Sequence, residues 1–402
     1  MIATFGEPVR GISMYATELF SALEAAAAIP LSRIDYRRLY PEFLFPGGRE
    51  ARSESPDALL HWARPGTWRK AAEMSAPILH IQYWSPVTAP MLLSVARSAR
   101  ARGKAVIVTV HNPEPHEHLP GFRRIERALL RTAHMLVTHT AAGEQRLRGV
   151  VRSEVPVVTI PHGVYIRGSS APSQDDYALL GLDPAKRYVV TFGNLRGYKG
   201  VPTLLRAWRR VSAAIGQVDL VIAGRTWRGG HSHSARLAAR VLGAASAGRD
   251  IERLLSQEPL TSRVALIDGF IPDRSLDALC RIADLGVFAY DRMSGQSGAA
   301  ARAAGSGLPL VVSSVGGLHE YAIGSDHIVA PGDHEALADR LIRHLNSRAE
   351  ARRQMRERQL AHAGSFAWQR VADEHLAAYS RVHGLLRGDA RDRKAEPSSP
   401  GR

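Results

Sequence analysis

The stretch "TFGNLRGYKGVPTLLRAW" (191–208) sets Gly193, Gly197 and Gly200 beside Arg196 and Lys199, where a strand-like run hands over to a helix-like one. Glycines let a ligand come close to the backbone, and the free N–H groups of a helix start attract negative charge, as the two cations do. The stretch therefore reads as an anion site, most simply for phosphate. Pro202 suits a first helical turn, and Leu204, Leu205, Trp208 and Val211 fall on one face, which puts the helix start near Val201. The spacing is neither a Walker loop nor a G-x-G-x-x-G fingerprint. The bland alternative is that Lys199 is an ordinary solvated loop lysine.

A second loop of this kind follows in "YDRMSGQSGAAARAAGSGLPLVV" (290–312), where Ser294, Gly295, Ser297 and Gly298 precede a helix-like run. Two helix starts at the carboxyl ends of strands in one sheet suit a diphosphate. The alternative is an Ala/Gly helix that only packs closely on its sheet. Earlier in the chain, "VIVTVHNPEPHEHLPGF" (106–122) ends a buried strand with His111, placed for hydrogen bonding or proton transfer. Glu114, His116, Glu117 and His118 follow it, and Glu114, His116 and Glu117 read as an acceptor-side group. A metal site from His116, Glu117 and His118 is disfavoured, because sequence neighbours seldom converge on one ion. "GEPVRGISMYATELFSAL" (6–23) places Gly11 before an amphipathic helix, where a phosphate or sugar can approach the backbone.

These loops need strands and helices to hold them. Short β-like runs at 78–82, 105–111, 135–138 and 155–160 alternate with helix-like runs at about 13–27, 86–102, 122–133 and 141–148. The alternation resumes with strands at 188–192, 218–223, 264–270, 285–289 and 310–313. Helices are expected there at about 202–215, 231–244, 249–256, 274–282, 298–306, 317–323 and 334–346. That is the pattern of two doubly wound α/β domains with parallel sheets. The composition of "PHGVYIRGSSAPSQDD" (161–176) reads as a linker, and the charged, Pro/Ser-rich stretch from Asp389 onward as a disordered tail.

Composition agrees with such a chain. Its 402 residues exceed the ~250–300 at which a single core stops growing. One cysteine, Cys280, excludes an internal disulfide and fits a reducing cytoplasm. No apolar run approaches the ~20 residues of a membrane span, and "MIATFGEPVRG" lacks the features of a signal peptide. The net charge of +15 attracts nucleic acid, anionic membranes and phosphorylated ligands alike. No nucleic-acid-binding motif accompanies it, so nucleic acid is not an expected partner.

Taken in order, these segments resemble the GT-B glycosyltransferases, in particular the family-4-like (group 1) branch that uses nucleotide sugars. "FGEPVRGIS" resembles its N-terminal glycine loop, "VTVHNPEPHE" its strand-end histidine motif, and "VTIPHGVY" the segment leading into its second domain. "FGNLRGYKGVPTLLRAW", "VDLVIAGRT", "IADLGVFAY" and "SGLPLVVSSVGGLHEY" resemble its nucleotide-binding half, and the likeness covers about 5–383. It implies two Rossmann-like doubly wound domains facing a cleft. The first (1–165) lies on the acceptor side and the second (166–365) binds the nucleotide sugar. A C-terminal helix (366–387) crosses back to the first domain, and a tail (388–402) follows.

The resemblance implies that Gly11 lies by the donor phosphates and that His111, the catalytic candidate, lies by the donor sugar. It also puts Arg196 and Lys199 on the diphosphate, Ser297 and Gly298 in backbone contact with phosphate, and Glu320 near the ribose. Two features depart from the family pattern. Gly295 and Arg302 stand where many members carry a pair of glutamates, and "MIATF" leaves only a short first strand. The expected activity is transfer of a hexose from a GDP- or UDP-sugar to a hydroxyl of a glycan or lipid-linked acceptor, in exopolysaccharide or glycolipid synthesis. No cofactor or metal is expected. The expected location is cytoplasmic, with an anionic membrane surface as a candidate partner. A non-catalytic nucleotide-sugar-binding or scaffold protein is the rival reading.

Overall fold

The computed structural model describes residues 1–3, 11–26, 30–39, 53, 58–74, 76–114, 122–151, 155–166, 171–225, 253–254, 256 and 263–395, with 385–395 as backbone only. The expected helices at 231–244 and 249–256 lie largely outside these residues. The chain forms two compact units. One comprises Met1–Pro115, Leu119–Pro161 and Trp368–Arg402, and the other centres on His162–Ala367.

In the first unit, α1 (Ile12–Ala26), β1 (Asp35–Arg38), β2 (Ala58–His61), α2 (Pro65–Met74), β3 (Ile78–Tyr83), α3 (Ala89–Ala101), β4 (Ala105–Val110), α4 (Phe122–Thr132), β5 (Met135–Thr138), α5 (Ala141–Val150) and β6 (Val157–Thr159) follow one another. β3, β4, β5 and β6 pair in parallel in that order, and β1 pairs with β2. The short N-terminal run joins these pieces. Ile2 bridges in parallel to both Ile34 and Ile81; its N–H donates to His80 O (2.8 Å), and its carbonyl accepts from Gln82 N–H (3.0 Å).

Alternation along the strands buries both faces of this sheet. Leu79, Ile81, Val106, Val108 and Val110 pack with α2, α3 and α4, while Ala105, Ile107, Met135 and Val137 pack with α1 and the C-terminal helix. β1, β2 and α2 were not legible in the sequence. Two four-residue strands and an arginine- and lysine-bearing helix show no long apolar period.

The second unit contains α6 (Gln174–Leu180), β7 (Arg187–Phe192), α7 (Val201–Ala214), β8 (Val218–Gly224), β9 (Val264–Asp268), α8 (Asp273–Ile282), β10 (Ala283–Phe288), α9 (Gly298–Gly305), β11 (Leu310–Ser313), β12 (Ile328–Val329), α10 (His334–Leu345) and α11 (Ala349–Ala363). Its six strands run parallel in the order β12-β11-β10-β7-β8-β9. The order reverses beside β7, and ligands bind at such switch points in open α/β sheets.

Three expectations are corrected. The segment 161–176 is no loose linker in its described parts: His162, Val164 and Tyr165 are buried, and Val164 N–H donates to Phe366 O (2.9 Å). Ser173 and Asp176 then form a capping box that starts α6, and Asp176 also holds Arg281. The helix expected at 317–323 is a 3-10 turn over Leu318–Tyr321. Finally, the last helix, α12 (Trp368–Ala395), runs past the expected start of the tail. Val371, Ala372, Ala378, Tyr379 and Val382 of α12 share a core with α1. Among the described residues, no helix is long and apolar enough to cross a membrane.

Candidate functional site

The loop between β7 and α7 is stitched to the ends of both neighbouring strands. Gly193 N–H donates to Ala223 O and Leu195 N–H to Arg225 O, each at 2.9 Å, while Asp291 N–H donates to Tyr198 O at 2.8 Å. Two glycines make this closeness possible. Gly224, at φ +145°, would place a Cβ 1.9 Å from Gly193 O; Gly200, at φ +64°, would place one 1.6 Å from Ala289 O. Only glycine fits either place.

The stitching carries Lys199 onto the loop before α9. Its Nζ donates to the Tyr290 hydroxyl (2.8 Å) and lies 4.8 Å from the centre of that ring. The Tyr290 and Ser297 hydroxyls are 3.0 Å apart. Ser297 caps α9, its Oγ accepting from Ala300 N–H at 3.4 Å. With Tyr290 donating to Ser297, the Ser297 proton is left for a further acceptor.

A Cβ on Gly193 would meet Lys199 Nζ at 3.2 Å and the Ala299 Cβ at 3.4 Å, so the first glycine loop lies directly against the start of α9. Burial of its ammonium lowers the Lys199 pKa, and burial raises that of Tyr290. A cation, a hydroxyl pair and an open helix start thus converge at one place, a suitable cradle for phosphate.

The start of α7 plays a different part from the one expected. The Asp291 carboxylate stands there and accepts from Thr203 Oγ1 at 3.3 Å, so the chain supplies its own anion to that helix end. Among the described residues no such carboxylate contact is seen at the start of α9, where Ser297 is the cap. Arg196 occupies the N-cap of the 3-10 turn that carries Lys199.

Glu320 sits in a second polar cluster of the same unit. Gln296 Nε2 donates to Glu320 Oε2, while Gln296 Oε1 accepts from His162 N–H (2.5 Å) and from the Tyr321 hydroxyl (3.3 Å). Burial pushes the Glu320 carboxyl up to about 7. Sequence reasoning missed Gln296 and Tyr290, since neither belongs to a recognisable spacing until β10 and its loop are folded. Arg302, noted above as a departure from the family pattern, is a core residue. It is 2% exposed and bonded to Asp273 (2.8 Å) and Asp277 (2.7 Å) of α8.

Gly11, His111 and Glu114 belong to the first unit. Gly11, at φ +48°, precedes α1, and its carbonyl accepts from Tyr15 N–H. His111 is buried at the end of β4, with Nε2 2.8 Å from Gln82 Oε1 and Nδ1 3.0 Å from His139 Nε2. Both ring nitrogens are therefore engaged inside the unit, an arrangement that suits fixed positioning better than proton exchange with a substrate. Glu114 forms an exposed ion pair with Arg146 of α5 (3.1 Å). His116 and Glu117 lie outside the described residues.

Residues 186–347, which include Lys199, Tyr290 and Ser297, match the family model described as Glycosyl transferases group 1. That segment is similar to the group 1 glycosyl transferases. The chain is similar to a D-inositol 3-phosphate glycosyltransferase of Mycobacterium marinum, 26% identical over 339 residues. The match covers 82% of this chain and 64% of that relative, so the chain spans less than two thirds of the curated relatives it matches.

The fold is that of GT-B glycosyltransferases. Sucrose-phosphate synthase from Thermosynechococcus elongatus superposes with a TM-score of 0.69 at 21% identity, covering 96% of this chain and 98% of that one. A UDP-forming α,α-trehalose-phosphate synthase from Burkholderia xenovorans, in complex with glucose-6-phosphate, gives 0.62 at 16% identity, covering 94% and 98%. Within the matched segment, Lys199, Tyr290 and Ser297 lie beyond the carboxyl ends of β7 and β10 at the switch point of the sheet.

Proposed function

We propose that the protein transfers a hexose from a nucleoside diphosphate sugar, a UDP- or GDP-sugar, to a hydroxyl acceptor. The Lys199–Tyr290–Ser297 chain at the start of α9 carries this reading. As the glycosidic bond to phosphate breaks, negative charge grows on the leaving diphosphate. A preset cation and aligned N–H groups stabilise that charge without reorganising. Arg196 and Gly298 complete the cradle, and Glu320 lies toward the nucleoside.

The acceptor bears phosphate as well as a hydroxyl. The names of the similar proteins support this, since inositol phosphate, sucrose phosphate and trehalose phosphate all combine the two groups. A lipid-linked glycan of exopolysaccharide or glycolipid synthesis has the same chemistry. The exposed Arg124, Arg127 and Arg131 of α4, with Arg97 of α3, would suit a peripheral approach to an anionic membrane carrying such a lipid. Product formed from a radiolabelled donor separates the two sources, entering butanol with a lipid acceptor and staying in water with a sugar phosphate.

The donor is tested by thermal shift with UDP, GDP, ADP and their sugar conjugates, on the wild type and Lys199→Ala. A nucleotide at ~100 times its dissociation constant adds about 2.7 kcal/mol. A shift with one nucleotide that Lys199→Ala abolishes supports the reading; a folded protein that shifts with none refutes it. The burial of Arg302 at a glutamate position favours the rival, a non-catalytic binder of nucleotide sugars. A nucleotide shift without turnover of any acceptor would establish that rival.

A further inference from the structure

The face of the first sheet that takes α1 and α12 changes from apolar to polar toward the carboxyl ends of its strands. His80 and Gln82 of β3, Thr109 of β4, and His111 and His139 beyond the ends of β4 and β5 are all buried there. They form one hydrogen-bonded chain. Ile160 O lies 2.9 Å from His139 Nδ1, and His139 Nε2 lies 3.0 Å from His111 Nδ1. Beyond His111, Gln82 Oε1 is 2.8 Å from its Nε2, and Gln82 Nε2 is 3.2 Å from His80 Nε2. His80 Nε2 also meets Thr109 Oγ1, and His80 Nδ1 meets the Tyr379 hydroxyl of α12, each at 2.7 Å.

Donor and acceptor counting limits where the protons can be. A carbonyl only accepts, so His139 carries its proton on Nδ1. Burial holds the His139 pKa down at about 4, so its Nε2 is a lone pair and accepts from His111 Nδ1–H. Only Nε2 of His111 can then gain or lose a proton. If it is bare, Gln82 must turn its NH2 toward His111. Its Oε1 then accepts from His80 Nε2–H, and Tyr379 donates to His80 Nδ1. If it is protonated, every bond beyond it reverses: Gln82 Oε1 accepts from His111, its NH2 donates to His80 Nε2, and His80 Nδ1–H donates to Tyr379. Amide oxygen and nitrogen are interchangeable in such a chain.

We propose that His139 holds the His111 ring with its proton on Nδ1, and that Gln82, His80 and Tyr379 are positioning residues that couple protonation of His111 Nε2 to α12 through reversal of the Gln82 amide. Other titratable groups face the relay. The Met1 ammonium, His375 of α12 and His139 all disfavour charge on His80, and the Tyr15 ring of α1 packs edge-on to His111 at 4.7 Å.

The test is heteronuclear NMR on the full chain with ring-15N-labelled histidine, with His80, His111 and His139 assigned through Cβ-to-ring correlations. The expected result is His111 and His139 as Nδ1–H forms, the less common tautomer in water. Tyr379→Phe, which keeps the ring packing, should move the His111 titration by on the order of half a pH unit. The same change in a Gln82→Leu background should move it negligibly. A wild-type His111 protonated on Nε2 with a bare Nδ1 overturns the proposal, as does a His111 titration that ignores Tyr379→Phe. The readout needs no substrate, so its failure is separate from failure of the glycosyl-transfer reading.

Discussion

Lys199 Nζ stands 2.8 Å from the Tyr290 hydroxyl and over the same ring, so one tyrosine holds the ammonium both by hydrogen bond and by its π face. Tyr290→Phe keeps the ring and removes the hydrogen bond, together with the link to Ser297. The expected cost is about 1 kcal/mol of stability and, with the ammonium less constrained, roughly tenfold weaker binding of the nucleoside diphosphate. Urea unfolding and isothermal titration with the nucleotide that stabilises the wild type check both numbers. Affinity unchanged in Tyr290→Phe would remove the tyrosine from the cradle.

The glycine loops, the cations and the strand–helix alternation were legible because each is local. Gly200 and Lys199 sit within one short loop, and Leu204, Leu205, Trp208 and Val211 mark a helix face by spacing alone. What joins the loops was not legible. Tyr290 meets Lys199 across 91 residues of sequence, and Gln296 meets His162 across 134. The start of α7 looked like an open anion site until Asp291 was found beside it. His80 and Gln82 read as ordinary members of an apolar strand; only the pairing of β3 with β4 brings them into line with His111.

Glu320 gives the second unit a distinctive dependence on pH. Burial raises its carboxyl from about 4.5 to about 7, so the folded state binds a proton that the unfolded state releases in that window. The stability this group contributes is fully present below pH 4.5 and is lost as pH rises through 7. Its size is on the order of 2 kcal/mol once partial exposure is discounted. Glu320→Gln, which stays neutral, should be more stable than the wild type at pH 8 and about equal at pH 4.5. Denaturant midpoints at the two pH values decide the matter, and an equal difference at both would contradict the assignment.

The buried histidines act with the opposite sign. His375 of α12 donates through Nδ1 to Val371 O (2.7 Å), is fully buried, and has its pKa pushed down to about 4, chiefly by burial. Its neutral form is the one folded, so this stability is present above pH 6.5 and is lost as pH falls toward 4, by up to on the order of 3 kcal/mol. Its Nε2 is buried with no hydrogen-bond partner among the described residues, so leucine gives up only the Nδ1 bond. His375→Leu should therefore unfold less readily than the wild type at pH 4.5 and show a flatter pH profile below 6.5. An unchanged acid transition in this variant would mean that His375 does not report the acid sensitivity of the first unit.

Arg302 joins two helices of the second unit. Its guanidinium is almost wholly buried, held by Asp273 and Asp277 on α8, so α9 is tied to α8 by one cation between two carboxylates. Removing one partner of a buried ion pair costs about 3–5 kcal/mol, because the remaining charges lose their counterion. Arg302→Ala should fall in that range, somewhat reduced by the exposure of Asp273. Arg302→Glu should be worse, since it puts a third carboxylate beside the two aspartates. Combining Arg302→Glu with Asp277→Arg restores opposite charges across the same gap and should recover part of the loss. Thermal melts of the three variants test this, and an Arg302→Glu protein as stable as the wild type would show that the aspartates do not depend on the arginine.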